Sequence, residues 1–154
     1  MNNKWYTTKV KIKRYDDEGR FRSVTESYLV DAVSFYDAET RMTAILEEGV
    51  DGEFSFKSIT KSPITDIVTD KDACQVYFLA KVKYVSVDDE SGKEKPITNH
   101  MLVEAVEISL AIKAIHEYLK DMLVPYVIAS IQESPIVEVI PFIPEDENDG
   151  EEDN

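Results

Sequence analysis

The chain has 154 residues, 43% apolar and 31% charged, with a formal net charge of −14 at pH 7. That apolar share supplies a packed core for one ordinary domain or two very small ones. No run of 18 apolar residues exists to span a bilayer, the stretch Met1-Asn2-Asn3-Lys4-Trp5 lacks the apolar centre of a signal peptide, and the single Cys74 allows no intramolecular disulfide, so a reducing cytoplasm is the expected compartment.

Residues 5–14 alternate, with Tyr6, Thr8, Val10 and Ile12 on one face and Trp5, Thr7, Lys9, Lys11 and Lys13 on the other. Period two with β-branched residues predicts a half-buried strand. Asp16 to Gly19 is turn chemistry: carboxylates that bond their own backbone, then a glycine free to take positive φ. Residues 20–31 form the returning strand. Ser34 opens a helix, with Asp37 three residues on, close to a capping box. Phe35, Ala38, Met42, Ile45 and Leu46 share one helical stripe, and Gly49 ends the helix. A third strand is expected at 53–60. Pro63 then interrupts the ladder, because it has no N–H to donate, and a short fourth strand follows at 64–68.

The same plan runs again. Strands are expected at 75–87 and 96–106, with a hairpin loop from Asp88 to Lys95. A helix is expected over 108–122, with Ile108, Ala111, Ile112, Ile115, Leu119 and Met122 inward. Pro125 bars its continuation. Strands at 126–133 and 136–140 are split by Ser134-Pro135. From Glu145 onward the chain carries seven acids, no base and no apolar residue, so the rest of the chain has a net charge of −7. Such a segment has too little apolar surface to offset the entropy of ordering.

The two plans share sequence as well as order. Trp5-Tyr6 recurs as Tyr77-Phe78, and Lys9-Val10-Lys11 as Lys81-Val82-Lys83. Asp16-Asp17-Glu18-Gly19-Arg20 recurs as Asp88-Asp89-Glu90-Ser91-Gly92-Lys93. Tyr28-Leu29-Val30-Asp31-Ala32-Val33 recurs as Met101-Leu102-Val103-Glu104-Ala105-Val106. Ser58-Ile59 and Ser62-Pro63-Ile64 recur as Ser130-Ile131 and Ser134-Pro135-Ile136. The offset is 72 or 73 throughout. This order predicts an α+β fold made by tandem duplication of a ββαββ unit. The expected parts are a first repeat at 1–69, a second at 70–142 and a disordered acidic tail at 143–154. A unit of about 70 residues with one helix is marginal alone. The two copies are therefore expected to pack as one compact pseudo-twofold body.

The block Glu26-Ser27-Tyr28-Leu29-Val30-Asp31-Ala32-Val33-Ser34-Phe35, with Met101-Leu102-Val103-Glu104-Ala105, resembles a domain-of-unknown-function family of gut bacteria and their bacteriophages. The resemblance covers about residues 4–142 and is marked by Tyr-Leu-Val-Asp-Ala. It implies a small intracellular or phage-encoded protein. It implies no activity, and no functional residue carries over from it.

Candidate chemistry is sparse. His116-Glu117 lacks a second histidine four residues on, so zinc-protease spacing fails. His100 stands where the first copy has Ser27. Asp16-Asp17-Glu18 and Asp88-Asp89-Glu90 lack the alternating ligands of a calcium loop and read as turns. Asp31 and Glu104 are equivalent and read as helix-adjacent acids. With five glycines in the chain there is no phosphate loop. Ser62-Pro63 and Ser134-Pro135 read as strand breaks, not nucleophile elbows. Cys74 reads as a small filler without an activating base. The expectation is a non-enzyme with no metal and no cofactor.

The most suggestive constellation lies on the first strand of each copy. Trp5, Lys9, Lys11 and Lys13 share a face, as do Tyr77, Lys81 and Lys83. Rings beside lysines on a sheet suit single-stranded nucleic acid: bases stack and lysines track phosphates. A plain solvated face, with lysines discouraging edge pairing, is the bland alternative. The charge layout, a basic start (seven bases and three acids in residues 1–22) and an acidic end, is similar to that of several single-stranded-DNA-binding proteins. The leading expectation is therefore an accessory protein of phage or bacterial DNA metabolism, whose tail competes for the basic site and recruits protein partners. The runner-up is a protein-interaction or structural module, such as a phage assembly or host-interfering factor, that oligomerises through sheet edges. No membrane partner is expected.

Overall fold

The computed structural model describes residues 3–50, 52–70 and 76–142. Cys74 and the acidic tail lie outside them. The fold is α+β, with two helices and two four-stranded sheets among the described residues. In chain order these are β1 (Lys4–Tyr15), β2 (Phe21–Ala32), α1 (Phe35–Gly49), β3 (Phe54–Lys61), β4 (Ile64–Val68), β5 (Val76–Val87), β6 (Glu94–Ala105), α2 (Ile108–Tyr118), β7 (Tyr126–Glu133) and β8 (Ile136–Ile140).

The strand order is β3-β1-β2-β8 in one sheet and β4-β6-β5-β7 in the other. Read from third strand to first to second, the two sheets have the same order. The fourth strand is where the expected units and the observed sheets differ. β4 does not flank β2, its neighbour in the first half of the sequence. It runs parallel to β6, with Ile67 opposite Leu102 and Val68 opposite Val103, and β8 takes the place beside β2. Among the described residues, one compact unit therefore takes those up to Ser62 together with 138–142, and the other takes those between Pro63 and Val137. The sequence reading divides the chain at 69 and 70 instead. Pro63 and Pro135 are at the break in each case: they end the antiparallel ladder and release the next strand to a different edge.

In the first unit the apolar side of the β1–β2 hairpin packs on α1. Tyr6, Val10, Ile12, Tyr28, Val30 and Ala32 meet Ala38, Met42 and Leu46, and Ile140 of β8 joins them. In the second, Phe78, Ala80, Val82, Met101, Val103 and Ala105 meet Ala111 and Ile115 of α2. Each fully buried aliphatic side chain is worth about 1.5–3 kcal/mol, so these stripes outweigh any single cap. The α1 cap is nonetheless complete. The Asp37 backbone N donates to Ser34 Oγ at 3.0 Å, and Asp37 Oδ2 accepts from the Val33 N–H at 3.0 Å. Glu107, which opens α2, makes no such side-chain bond.

Two helical expectations are corrected. Ile108, expected inward, is 45% exposed, and on the first helical stripe Phe35 and Ile45 are 48% and 36% exposed, although Phe35 still meets Tyr6 edge-on at 5.0 Å. The second helix ends at Tyr118, four residues before the expected 122. Tighter turns follow, with Met122 N donating to Leu119 O at 3.0 Å, the usual way a helix end uses its last carbonyls.

Both hairpin turns behave as their composition predicts. Gly19 and Gly92 have φ of 80° and 71°, the left-handed region that a side chain would strain. Asp16 Oδ1 accepts from the N–H groups of Glu18 and Arg20, and Asp88 Oδ1 accepts from Glu90. Those bonds hold the Asp88 carboxyl below its ordinary pKa.

Candidate nucleic-acid interface

Each sheet has a second face, turned away from its helix. Directly opposed residues in an antiparallel pair point the same way, so the register fixes what this face carries. Along β1 and β2 the opposed pairs are Trp5 with Asp31, Thr7 with Leu29, Lys9 with Ser27, Lys11 with Thr25, Lys13 with Ser23 and Tyr15 with Phe21. On the β3 side, Lys9 faces Ser58 and Lys11 faces Ser55. Along β5 and β6 they are Tyr77 with Glu104, Leu79 with Leu102, Lys81 with His100 and Lys83 with Thr98. On the β7 side, Lys81 faces Ser130 and Lys83 faces Val127.

The four lysines Lys9, Lys11, Lys81 and Lys83 are exposed, and their in-register neighbours are hydroxyls, an imidazole and a valine. Among the described residues none of the four forms an ion pair. Lys13 differs, since its Nζ lies 3.3 Å from Glu53 Oε2. The register thus brings Lys9 and Lys11 together on one sheet and Lys81 and Lys83 together on the other.

The expected aromatic partners sit differently. Trp5 is half-buried, and Tyr77 is only 7% exposed. Each stands opposite an acid, Asp31 or Glu104. The acids have structural tasks. Glu104 Oε1 accepts the Asp70 N–H at 3.0 Å, two residues past β4. Asp31 accepts the backbone N–H of Phe142, two residues past β8. Burial pushes the Asp31 carboxyl up, against the pull of that bond and of Arg41. The Arg41 guanidinium also donates to Pro141 O at 2.9 Å and lies 4.8 Å from the centre of the Phe142 ring.

Sequence reasoning missed the exposed aromatic pair of the first face. Tyr15 and Phe21 are 74% and 55% exposed, with ring centroids 5.1 Å apart. The alternation that finds Lys9, Lys11 and Lys13 extends one step further to Tyr15. The signal for Phe21 is the length of the turn, closed by Asp16 N donating to Arg20 O at 2.8 Å. The rings border a cleft of about 440 Å³ lined also by Lys13, Arg14, Gly49, Val50 and Gly52. The matching end of the second hairpin has a cleft of about 510 Å³ lined by Val85, Val87, Pro96, Val124, Pro125 and Val127, with Lys83, Tyr84 and Glu94.

His116 Nδ1 lies 2.7 Å from Tyr126 Oη, and His100 stands on a different element. Among the described residues no three His, Cys, Asp or Glu side chains gather as a metal site. No described helix is long and apolar enough to cross a membrane.

No curated protein and no solved structure matches this chain. A family model, that of a domain of unknown function (DUF4494), matches residues 4–142. The chain, from the first strand to the residues that Asp31 and Arg41 hold after β8, belongs to the DUF4494 family.

Proposed function

We propose that this protein is a non-enzymatic accessory factor that binds single-stranded nucleic acid, built by duplication of a ββαββ unit and acting in phage or bacterial DNA metabolism. The observation that carries the reading is the pair of exposed, acid-free lysine rows, Lys9–Lys11 and Lys81–Lys83, in a chain of net charge −14. In so acidic a protein, two cations kept clear of carboxylates at the same place in both sheets suit a polyanion. The shared order of the two sheets and the offset of 72 or 73 support the duplication. Lysines supply the phosphate contacts, and Lys13 joins the row when it leaves Glu53. Trp5 and Tyr77 border the rows beside their acids and support the strands more than they offer ring faces. The acidic segment from Glu145 onward competes with nucleic acid for the lysines and recruits protein partners.

The test is fluorescence anisotropy with a single-stranded oligonucleotide. Affinity falls as salt rises, and Lys9→Glu with Lys11→Glu weakens binding at least about tenfold. Neutralising the seven tail acids to amides tightens it. Absence of binding by the intact chain and by the neutral-tail variant at about 50 mM salt removes the proposal.

A second reading, a protein-interaction module, is favoured by the apolar cleft at Val85, Val87, Pro96 and Val127 and by Leu123, which is 99% exposed. It predicts self-association or protein capture that Val127→Lys abolishes, with no effect of Lys9→Glu.

A further inference from the structure

We infer that Tyr15 and Phe21 form a base-stacking platform at the end of the Lys9–Lys11 row, which makes the ligand of this face single-stranded rather than duplex. The inference rests on the nucleic-acid reading above and adds the residues that would touch bases. Lys9, Lys11, Lys13 and Tyr15 follow one another at every second residue on β1, and Phe21 stands directly across from Tyr15. The span from Lys9 to Tyr15 is six residues, about 20 Å of strand. A nucleic-acid backbone along the lysines would bring a base over the rings.

Three observations favour a ligand role over a simple clasp for the hairpin. A clasp gains by covering its rings, yet these stay 74% and 55% exposed. The matching pair of the second hairpin is Val87 with Glu94, which closes the turn without any ring. The charge on the ring face also suits a phosphate chain. From Lys9 to Tyr15 the residues directly opposite are Ser27, Thr25, Ser23 and Phe21, none of them an acid, and Lys9 and Lys11 form no ion pair among the described residues. The opposite end of the face is closed to phosphates by Asp31 beside Trp5. The favourable path therefore runs from Lys9 toward Tyr15.

The experiment compares an oligothymidylate with an abasic oligomer of the same length and phosphate count. The intact chain should prefer the oligomer with bases by about tenfold or more, as stacking on exposed rings predicts. Tyr15→Ser with Phe21→Ser should lower that affinity to the abasic level and leave abasic binding unchanged. Lys9→Glu with Lys11→Glu should lower both. Photocrosslinking of 5-iodouracil in the oligomer to Tyr15 or Phe21 of the unmodified chain provides a readout that needs no variant. An aromatic variant that keeps the full preference for bases, or a crosslink that maps away from both rings, overturns the platform and leaves the lysine rows standing. No binding of either oligomer by the intact chain and by the neutral-tail variant overturns both readings.

Discussion

The two sheets share one frame and carry different faces. In both, the first strand lies at the centre between the second and third, a helix covers one side, and a fourth strand joins the edge beside the second. On the side away from the helix they agree where the structure constrains them and part where it does not. Leu29 and Leu102 are both fully buried. Asp31 and Glu104 both accept a backbone N–H two residues past a fourth strand. Toward the hairpin tips the first face has Lys13, Tyr15 and Phe21, and the second has Val85, Val87 and Pro96. Residues that hold the frame are alike, whereas those at the tips are free to differ. The tips are where the two faces acquire different chemistry.

The comparison can be broken most sharply in the cores. Met42 and Ile115 are fully buried in equivalent helix stripes. Met42→Ala and Ile115→Ala should each cost about 2–5 kcal/mol, measured by urea unfolding. A loss under about 1 kcal/mol at either site would mean that the two helices do not play the same part.

A second difference lies under the first sheet's helix. Tyr28 donates its hydroxyl to Glu26, which is paired with Arg14, where the second sheet has Met101 and Asn99. Burial, together with the bond to Glu26, holds the Tyr28 phenol well above its ordinary pKa. A phenol whose folded pKa is raised contributes stability that is complete below the unfolded value of about 10 and is lost as pH rises above it. Tyr28→Phe should cost about 1–2 kcal/mol near neutrality and flatten the alkaline loss of stability, read from melting curves between about pH 8 and 11. An unchanged alkaline slope would assign that loss to other groups.

The smallest expected effect has the opposite sign. Thr8 is fully buried and its Oγ1 has no hydrogen-bond partner among the described residues. The second sheet has Ala80 there, also fully buried. A buried hydroxyl without a partner is a cost, so Thr8→Val should raise stability by about 1 kcal/mol. A destabilised variant would show that the hydroxyl finds a partner in solution, such as an ordered water.

Much of this architecture is legible in the residues. Alternation from Trp5 to Lys13 places the lysines on one face, Asp16 to Gly19 makes the turn, and Ser34 with Asp37 starts the helix. The family resemblance over about 4–142 agrees with the matched span. The aromatic pair is half-legible: Tyr15 continues the alternation, but Phe21 is placed opposite it only once the turn bond from Asp16 to Arg20 sets the register. The standing of Trp5 and Tyr77 is not legible at all, because their exposure depends on what surrounds them and not on strand period.

The chain's own order determined the elements, their faces and their turns, since each follows from neighbours a few residues apart. Tertiary structure alone decided where Ile64–Val68 and Ile136–Ile140 pair. A strand's pattern says which side is apolar but not which edge will bond its backbone, and the two available edges, on β2 and β6, end alike, in Leu29-Val30-Asp31-Ala32 and Leu102-Val103-Glu104-Ala105. The choice between them is made by chain connection and packing far from the strand itself.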